Sequence, residues 1–333
     1  MKGALLVLLK LAVSSALLWY LFRDQDFGTE IKPRLLSMGH HWEWVLAGLG
    51  CVGAAIYLHA WRWQALLKAQ GEPAPMGLIQ RVNLAANFFT LSPLGATGGD
   101  AWRIIALVVN RGCGRLAVVA SLVLDHMVGL ASLAIVFLAF GAAFSDHWAQ
   151  HSPAVKSLVS GYSIFIVGGL ALMLLFALSF SPKLYAMGER QFPVLRSGWV
   201  KEFCMACDTL RANWRRSLES LSVSVVMYLF HFFAFYCSAR AVAETPPVRD
   251  VMASMAVVDT LAGLPISFAG LGVREKTFET LMGALSGMGE AAAVSASLAG
   301  WLMQVFWAMI GGVFFLFERR TASPPSRKPN DLT

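Results

Sequence analysis

Charged residues are scarce in this sequence. Asp, Glu, Lys and Arg make up 14% of the 333 residues, and apolar residues make up 57% with a mean hydropathy of +0.60. Average soluble domains carry about 25% charged residues. This composition excludes an ordinary soluble domain and predicts an all-α integral membrane protein.

Motifs of common enzymes are also missing. The sequence has no GxSxG, no HExxH and no Walker loop. His40 and His41 are adjacent but lack a third ligand at metal spacing. Cys204 and Cys207 have CxxC spacing without a second pair, so zinc or redox chemistry there competes with ordinary thiols on an interfacial helix. We expect no enzymatic activity, no metal and no cofactor.

Six apolar runs are each long enough to cross a hydrocarbon core of about 30 Å. They are residues 3–22, 44–63, 117–143, 159–180, 217–240 and 291–317. The first run carries Lys10 and ends without a small-residue cleavage site, so we interpret it as a retained anchor and not as a signal peptide. The sequence therefore predicts about six full transmembrane helices.

A further apolar stretch, about residues 83–110, is interrupted. It carries Asn87, Pro93, Gly98, Gly99, Asp100 and Arg103. Proline lacks a backbone donor and clashes with the preceding turn, so a helix should end or kink near Leu91. Non-helical backbone at membrane depth persists only where it is buried in protein or lines a wet cavity. The break is therefore predicted to mark a site.

A second interrupted stretch, about residues 255–285, repeats the order of the first. Its corresponding residues are Asp259, Pro265, Gly270, Gly272 and Arg274. Interrupted segments at corresponding positions of two halves point to the binding site of a transporter. We predict two re-entrant pairs of short helices. Because three full spans separate them, the pairs should enter from opposite faces and form an inverted repeat.

The basic residues favour one orientation in the membrane. With a cytoplasmic N-terminus, 18 of the 27 Lys and Arg residues fall on the cytoplasmic side and 8 on the other, as the positive-inside rule requires. Both termini are then cytoplasmic. The net charge of +7 thus reflects topology, and we expect anionic headgroups, not nucleic acid, as the partner.

Two cytoplasmic segments follow from this topology. In residues 183–216 apolar residues alternate with bases, which is typical of helices lying along an anionic surface. The polar tail, residues 319–333, is predicted to be disordered. His59-Ala-Trp-Arg-Trp63 reads as an interfacial belt, so we interpret Arg62 as a headgroup-level anchor.

Asp125 and His126 lie about three turns into the third apolar run. An ionisable residue is costly there, so Asp125 should face the protein interior and find a partner. Asp125 either ties helices together or takes part in function. For His126, a packing role and a ligand role both stay open.

Arg103 and Arg274 each follow a glycine-rich turn, and we expect each at the start of a short helix. A helix N-terminus with glycine access and an arginine can hold a phosphate. Asp100, Asp125 and Glu275 can neutralise these bases without a ligand, or carry a coupling proton or cation. The alternative is that the charged pairs only hold the broken helices, but such pairing does not require the glycines.

We predict that Arg103 and Arg274 approach one shared cavity with Asp125 within reach. The candidate substrate-binding residues are Arg103, Arg274, Asp100, Asp125, Glu275, Asn87, Asp259 and His126. The helix breaks are assigned to Pro93, Gly98, Gly99, Pro265, Gly270 and Gly272.

Three stretches carry a resemblance to a known family. They are Ser92-Pro-Leu-Gly-Ala-Thr-Gly-Gly-Asp-Ala-Trp-Arg103, Ala120-Ser-Leu-Val-Leu-Asp125 and Gly270-Leu-Gly-Val-Arg-Glu275. Together they resemble the marks of the flippase-like family, which includes the membrane domain of lysylphosphatidylglycerol synthases (multiple peptide resistance factor). The resemblance covers about residues 5–317. It implies a polytopic membrane protein that moves or handles an anionic lipid, such as an aminoacylated phospholipid or a polyprenyl phosphate.

Two positions depart from the family's pattern. His126 stands where the family commonly has Arg, and Leu94 separates Pro93 from Gly95 where Pro-Gly is usual. No soluble aminoacyltransferase domain follows in these residues, so synthase activity is not expected.

We predict a transporter of an anionic lipid in the bacterial inner (plasma) membrane, working by alternating access around a polar midplane cavity. Enzymes of lipid biosynthesis are possible partners, and the oligomeric state stays open. One alternative is a membrane-embedded transferase acting on a lipid-linked sugar or isoprenoid. Another is an accessory subunit of a lipid or envelope biosynthesis complex.

Overall fold

A computed structural model gives the three-dimensional arrangement of the chain. It describes residues 27–92, 95–141, 153–179, 213–264, 267 and 269–318, together with residues 15 and 19. All regular secondary structure in these residues is helical, with no strand, as the sequence predicted.

Ten α-helices occur in the described part of the chain. They are α1 Lys32–Ser37, α2 Trp42–Ala69, α3 Met76–Thr90, α4 Ala96–Ile104, α5 Arg115–Gly141, α6 Pro153–Ser179, α7 Trp214–Ala241, α8 Val248–Gly263, α9 Val273–Ser286 and α10 Glu290–Glu318. Two short π-helical segments, Phe27–Ile31 and Ile105–Val109, precede α1 and follow α4.

Four of the predicted spans are confirmed as helices long and apolar enough to cross a membrane. These are α2, α5, α7 and α10, which correspond to the second, third, fifth and sixth apolar runs. α6 covers most of the fourth run, and its apolar part is described over Ser160–Ala171. Of the first run, only residues 15 and 19 are described. The total of six spans stays a prediction.

Each interrupted stretch forms two short helices that pack against each other. We call α3 and α4 the first hairpin, and α8 and α9 the second hairpin. α3 ends at Thr90, next to the predicted break at Leu91, and α8 ends at Gly263. Pro93 and Pro265, to which the breaks were assigned, lie outside the described residues.

The two halves of the structure repeat one arrangement. A long helix, a hairpin and a second long helix form α2–α5 in one half and α7–α10 in the other. The corresponding helices α2 and α7 pack along each other, while the first hairpin packs on α10 and the second on α5. Each hairpin thus contacts the last long helix of the opposite half, and the second hairpin also packs on α7 and α10 of its own half. Whether the halves are inverted depends on α6 crossing the membrane, and it stays a prediction.

Corresponding residues of the two halves are 172 positions apart. Pro75 and Pro247 directly precede α3 and α8, so both hairpins begin before the bounds predicted for them. In the turn before each hairpin, Gly71 and Ala243 have positive φ angles of 81° and 66°. A positive φ is uncommon for alanine. That Ala243 adopts it at the position corresponding to Gly71 indicates that both halves use the same turn.

Small residues allow the first hairpin to approach α10 closely. A side chain at Gly311 would overlap the carbonyl oxygen of Leu84, and one at Gly312 would meet the ring of Phe88. Small residues at helix contacts are characteristic of membrane proteins. This contact fixes the position of the first hairpin relative to the opposite half.

Three predicted features cannot be placed. The described residues do not include the tail 319–333, Cys204, Cys207 or most of the amphipathic segment 183–216.

Candidate functional site

Three charged side chains are buried between α2, α4 and α5. Arg62 donates from Nε and Nη2 to the two carboxylate oxygens of Asp125, at 2.6 and 2.8 Å. Arg103 Nη1 lies 4.0 Å from Asp125 Oδ2. The exposed fractions of Arg62, Arg103 and Asp125 are 4%, 5% and 1%. We call these three residues the ion cluster.

Polar groups of α2, α3 and α4 surround the terminal nitrogen atoms of Arg103, whereas its Nε has no hydrogen-bond partner among the described residues. Its Nη2 donates to Asn83 Oδ1 at 2.5 Å and lies 3.4 Å from His59 Nε2, and its Nη1 donates to Asp100 Oδ1 at 3.2 Å. The guanidinium also lies over the Trp63 ring, 5.2 Å from the centroid. The two arginines of the ion cluster thus face two carboxylates, Asp125 and the adjoining Asp100, so these charges balance without a ligand.

Arg103 lies in the last turn of α4, not at the helix start as predicted. α4 begins earlier because Gly95 supplies the left-handed φ of 60° that precedes it, and Gly98 and Gly99 lie inside the helix. A side chain at Gly99 would approach the carbonyl oxygen of Ala86 to 3.0 Å. Gly99 therefore allows α4 to pack closely on α3, and Gly98 and Gly99 do not form a turn leading into Arg103.

Arg274 is the second residue of α9, so its predicted place at a helix start is confirmed. The preceding Gly270 and Gly272 have φ angles of 78° and 84°, which glycine adopts without strain. Arg274 is 8% exposed, and its Nη2 donates to the carbonyl oxygen of Ala269 at 3.3 Å. Its Nε and Nη1 have no hydrogen-bond partner among the described residues.

Glu275 makes no ion pair with Arg274 among the described residues, so the first of its two predicted roles is not observed. Its Oε2 accepts the backbone N–H of Gly272 at 2.6 Å, and Ser297 Oγ lies 3.4 Å from its Oε1. This contact satisfies a free donor at the start of α9, where an acidic group also complements the helix dipole. Glu275 thus acts as a cap, because its backbone position directs the carboxylate to the helix start.

Two adjoining cavities lie where the hairpins meet. The larger, which we call the hairpin cavity, has a volume of about 510 Å³. It is lined by the loop ends of both hairpins and by α10, including Thr97, Asp259, Gly270, Arg274, Trp301 and Gln304. The smaller, which we call the central cavity, has a volume of about 220 Å³. Asp259 and Gln304 line both cavities, so the two spaces adjoin.

The polar lining of the central cavity comes from corresponding positions of the two halves. His59 corresponds to His231 and Asn87 to Asp259, each pair being 172 residues apart, and all four line this cavity. His231 Nε2 lies 2.8 Å from Asp259 Oδ2. His59 Nε2 lies 3.0 Å from Asp125 Oδ2, which belongs to the ion cluster. The internal repeat therefore places its polar residues around one space between the halves.

The chain matches the sequence model of one protein family. That family is described as the lysylphosphatidylglycerol synthase TM region, and the match covers residues 7–312. The chain belongs to this family. A search of curated proteins finds no match.

Membership of the lysylphosphatidylglycerol synthase TM region family confirms the resemblance inferred from three sequence stretches. The structure separates these stretches into two places. The first two end at Arg103 and Asp125 in the ion cluster, and the third ends at Arg274 and Glu275 beside the hairpin cavity.

The prediction that Arg103 and Arg274 share one cavity is wrong. Arg274 lines the hairpin cavity, whereas Arg103 lines neither cavity. The reason is position along the helix. Arg103 lies eight residues beyond Gly95, which corresponds to about 12 Å at 1.5 Å per residue, whereas Arg274 lies beside the loop of its hairpin.

Of the remaining candidate residues, the structure brings Asn87 and Asp259 to the cavities and leaves the others outside. Asp100 pairs with Arg103 and, through Oδ2, with His126 Nε2 at 2.8 Å. The His126 side chain is 58% exposed and lines neither cavity. Their roles as lipid ligands stay predictions.

Sequence reasoning missed Arg62, His59 and His231. Arg62 was interpreted as a headgroup-level anchor, but it is buried and bound to Asp125. One signal was available, because a buried acid within a span requires a cationic partner. The 172-residue repeat also pairs the two histidines.

Proposed function

We propose that this protein binds an anionic lipid through its phosphate group at Arg274 and moves it between the membrane leaflets. The supporting observation is a buried arginine beside a cavity of about 510 Å³, whose Nε and Nη1 have no hydrogen-bond partner in the part of the chain that the structure describes. Buried N–H donors are costly unless they find an acceptor. The oxygen atoms of a phosphate in the hairpin cavity supply such acceptors.

The surroundings of Arg274 suit a phosphate. Arg274 lies in the first turn of a helix of 14 residues, where the helix dipole favours a negative charge. Gly270 leaves room for the guanidinium, because an added Cβ there would lie 3.1 Å from Arg274 Nη2. Charge-assisted hydrogen bonds from a guanidinium to phosphate are strong and directional.

Movement of the lipid is proposed from the repeat. The hairpin cavity lies between two hairpins that belong to opposite halves, and rocking of such halves around a fixed site gives alternating access. We further propose a location in the plasma membrane with both termini cytoplasmic, no catalytic activity, and lipid-biosynthesis enzymes as partners.

Reconstitution tests this proposal. The full chain in liposomes should move fluorescently labelled phosphatidylglycerol between leaflets, and Arg274→Ala should abolish most of that movement. Arg274→Lys keeps the charge without the planar guanidinium, so it should retain a part. Arg240→Ala is the matched control, because Arg240 lies over the Trp44 ring at 4.8 Å and lines neither cavity.

Normal transport by folded Arg274→Ala would refute the role of Arg274. Mass spectrometry of the lipid distinguishes the alternatives, since a transferase changes the mass of its lipid. An accessory subunit neither moves the lipid nor changes its mass.

A further inference from the structure

We infer, on the basis of the proposed function, that His231 and Asp259 form a proton-binding pair whose protonation is coupled to anion binding at Arg274. The two groups lie 2.8 Å apart, from His231 Nε2 to Asp259 Oδ2. Asp259 lines both cavities, and Arg274 lines the larger one. The pair and the proposed phosphate site therefore face the same space.

The corresponding pair of the other half shows by contrast why this pair can bind a proton. Asp125 accepts two hydrogen bonds from Arg62 and is 1% exposed, so its negative charge is fixed. A proton on His59 would add a third positive charge beside two guanidinium groups. Asp259 has His231 as its only charged or titratable hydrogen-bond partner within the described ranges, and its side chain is 18% exposed. In the described part of the chain, Asp259 thus lacks the guanidinium contacts that Asp125 has.

Among the described residues, Arg274 is the charged group outside the pair that lines a cavity with it. The titratable or charged groups that face the pair from neighbouring helices are His59 on α2, Tyr162 on α6, Tyr228 on α7 and Arg274 on α9, with the ion cluster behind His59. The tyrosines are neutral near pH 7, and the charges around the ion cluster balance. From α3 and α10 come the neutral Asn87 and Gln304.

Charge balance then couples lipid binding at Arg274 to protonation of the His231–Asp259 pair. Among the described residues, Asp259 is the only acidic side chain and Arg274 the only basic side chain that lines the hairpin cavity. A lipid phosphodiester adds one negative charge, and one proton taken from water onto the pair restores neutrality. Charge interactions are strong in a space of low dielectric constant, so lipid binding favours protonation. By reciprocity, protonation favours lipid binding, and release of the lipid releases the proton.

Isothermal titration calorimetry tests this coupling. Dihexanoyl phosphatidylglycerol is titrated into the full chain in detergent, and the titration is repeated in buffers of different ionisation enthalpy to count the protons taken up. The phosphodiester of this lipid stays ionised between about pH 6 and 8, so the lipid itself contributes no protons. We expect uptake of up to one proton per lipid, and affinity that falls by up to about tenfold per pH unit as pH rises. Asp259→Asn and His231→Gln should bind the lipid without proton uptake and with little pH dependence.

His41→Gln is the control, since His41 Nδ1 also lies near a carboxylate, 3.8 Å from Glu43 Oε1, but lines neither cavity. It should keep the proton uptake of the unchanged protein. Lipid binding by the unchanged protein without proton uptake overturns the coupling and leaves the proposed function standing. Undiminished uptake in both pair variants overturns the assignment to His231 and Asp259. Absence of lipid binding by the unchanged protein refutes the proposed function and the coupling together.

Discussion

Asp125 lies between two buried guanidinium groups, and its replacement by Asn should destabilise the fold. The carboxylate accepts two hydrogen bonds from Arg62 at 2.6 and 2.8 Å, and both residues are less than 5% exposed. Removing one partner of such a pair leaves an uncompensated buried charge, which costs about 3–5 kcal/mol. The free energy of unfolding of a protein is commonly about 5–15 kcal/mol, so Asp125→Asn should remove a large part of it.

Unfolding of the purified protein in detergent, followed by circular dichroism during denaturant titration, measures this loss. Glu244→Gln is the control, because Glu244 accepts a 2.7 Å hydrogen bond from Arg34 in a pair that is 40% and 27% exposed. An exposed ion pair contributes about 0–1 kcal/mol. The two substitutions remove the same charge from contacts of similar length, so the difference between them isolates burial.

The double change Arg62→Met with Asp125→Leu should recover most of the stability. A buried ion pair can often be replaced by apolar residues of similar size without loss, and Arg103 keeps its contact with Asp100 at 3.2 Å. If Asp125→Asn costs no more than Glu244→Gln, the ion cluster does not hold the helices as described. Failure of the double change to recover stability would show that Asp125 acts through groups other than Arg62.

Three further outcomes are expected. Glu275→Gln should lower stability by about 1 kcal/mol or more, because the charged cap on the Gly272 N–H is lost; an unchanged unfolding midpoint would contradict this. Gly311→Val should lower the yield of folded protein in size-exclusion chromatography, because its side chain would overlap the backbone at Leu84, and normal yield would refute that close contact. Arg196→Cys, in a background without the five native cysteines, should react with an impermeant thiol reagent only from the cytoplasmic side, and labelling from outside would reverse the topology.

The sequence by itself determined the class of protein, the family and the positions of the two helix breaks. The low content of charged residues and the long apolar runs are properties of the sequence alone, so recognising them requires no knowledge of how the helices pack. The end of α3 at Thr90, beside the predicted break at Leu91, could be anticipated because proline acts on its own helix. The place of Arg274 near a helix start likewise depends only on the glycines just before it.

Only the tertiary structure decided which charged groups meet. Arg62 and Asp125 are 63 residues apart and lie on different helices, so neither position shows the pairing by itself. Arg103 and Arg274 look alike in sequence, but Arg103 lies at the far end of its helix and reaches the ion cluster, while Arg274 lies beside the hairpin cavity. Glu275 caps α9 instead of pairing with its neighbour. Helix geometry and contacts between distant helices set these outcomes, because a charged side chain inside the membrane must find its partner wherever packing places one.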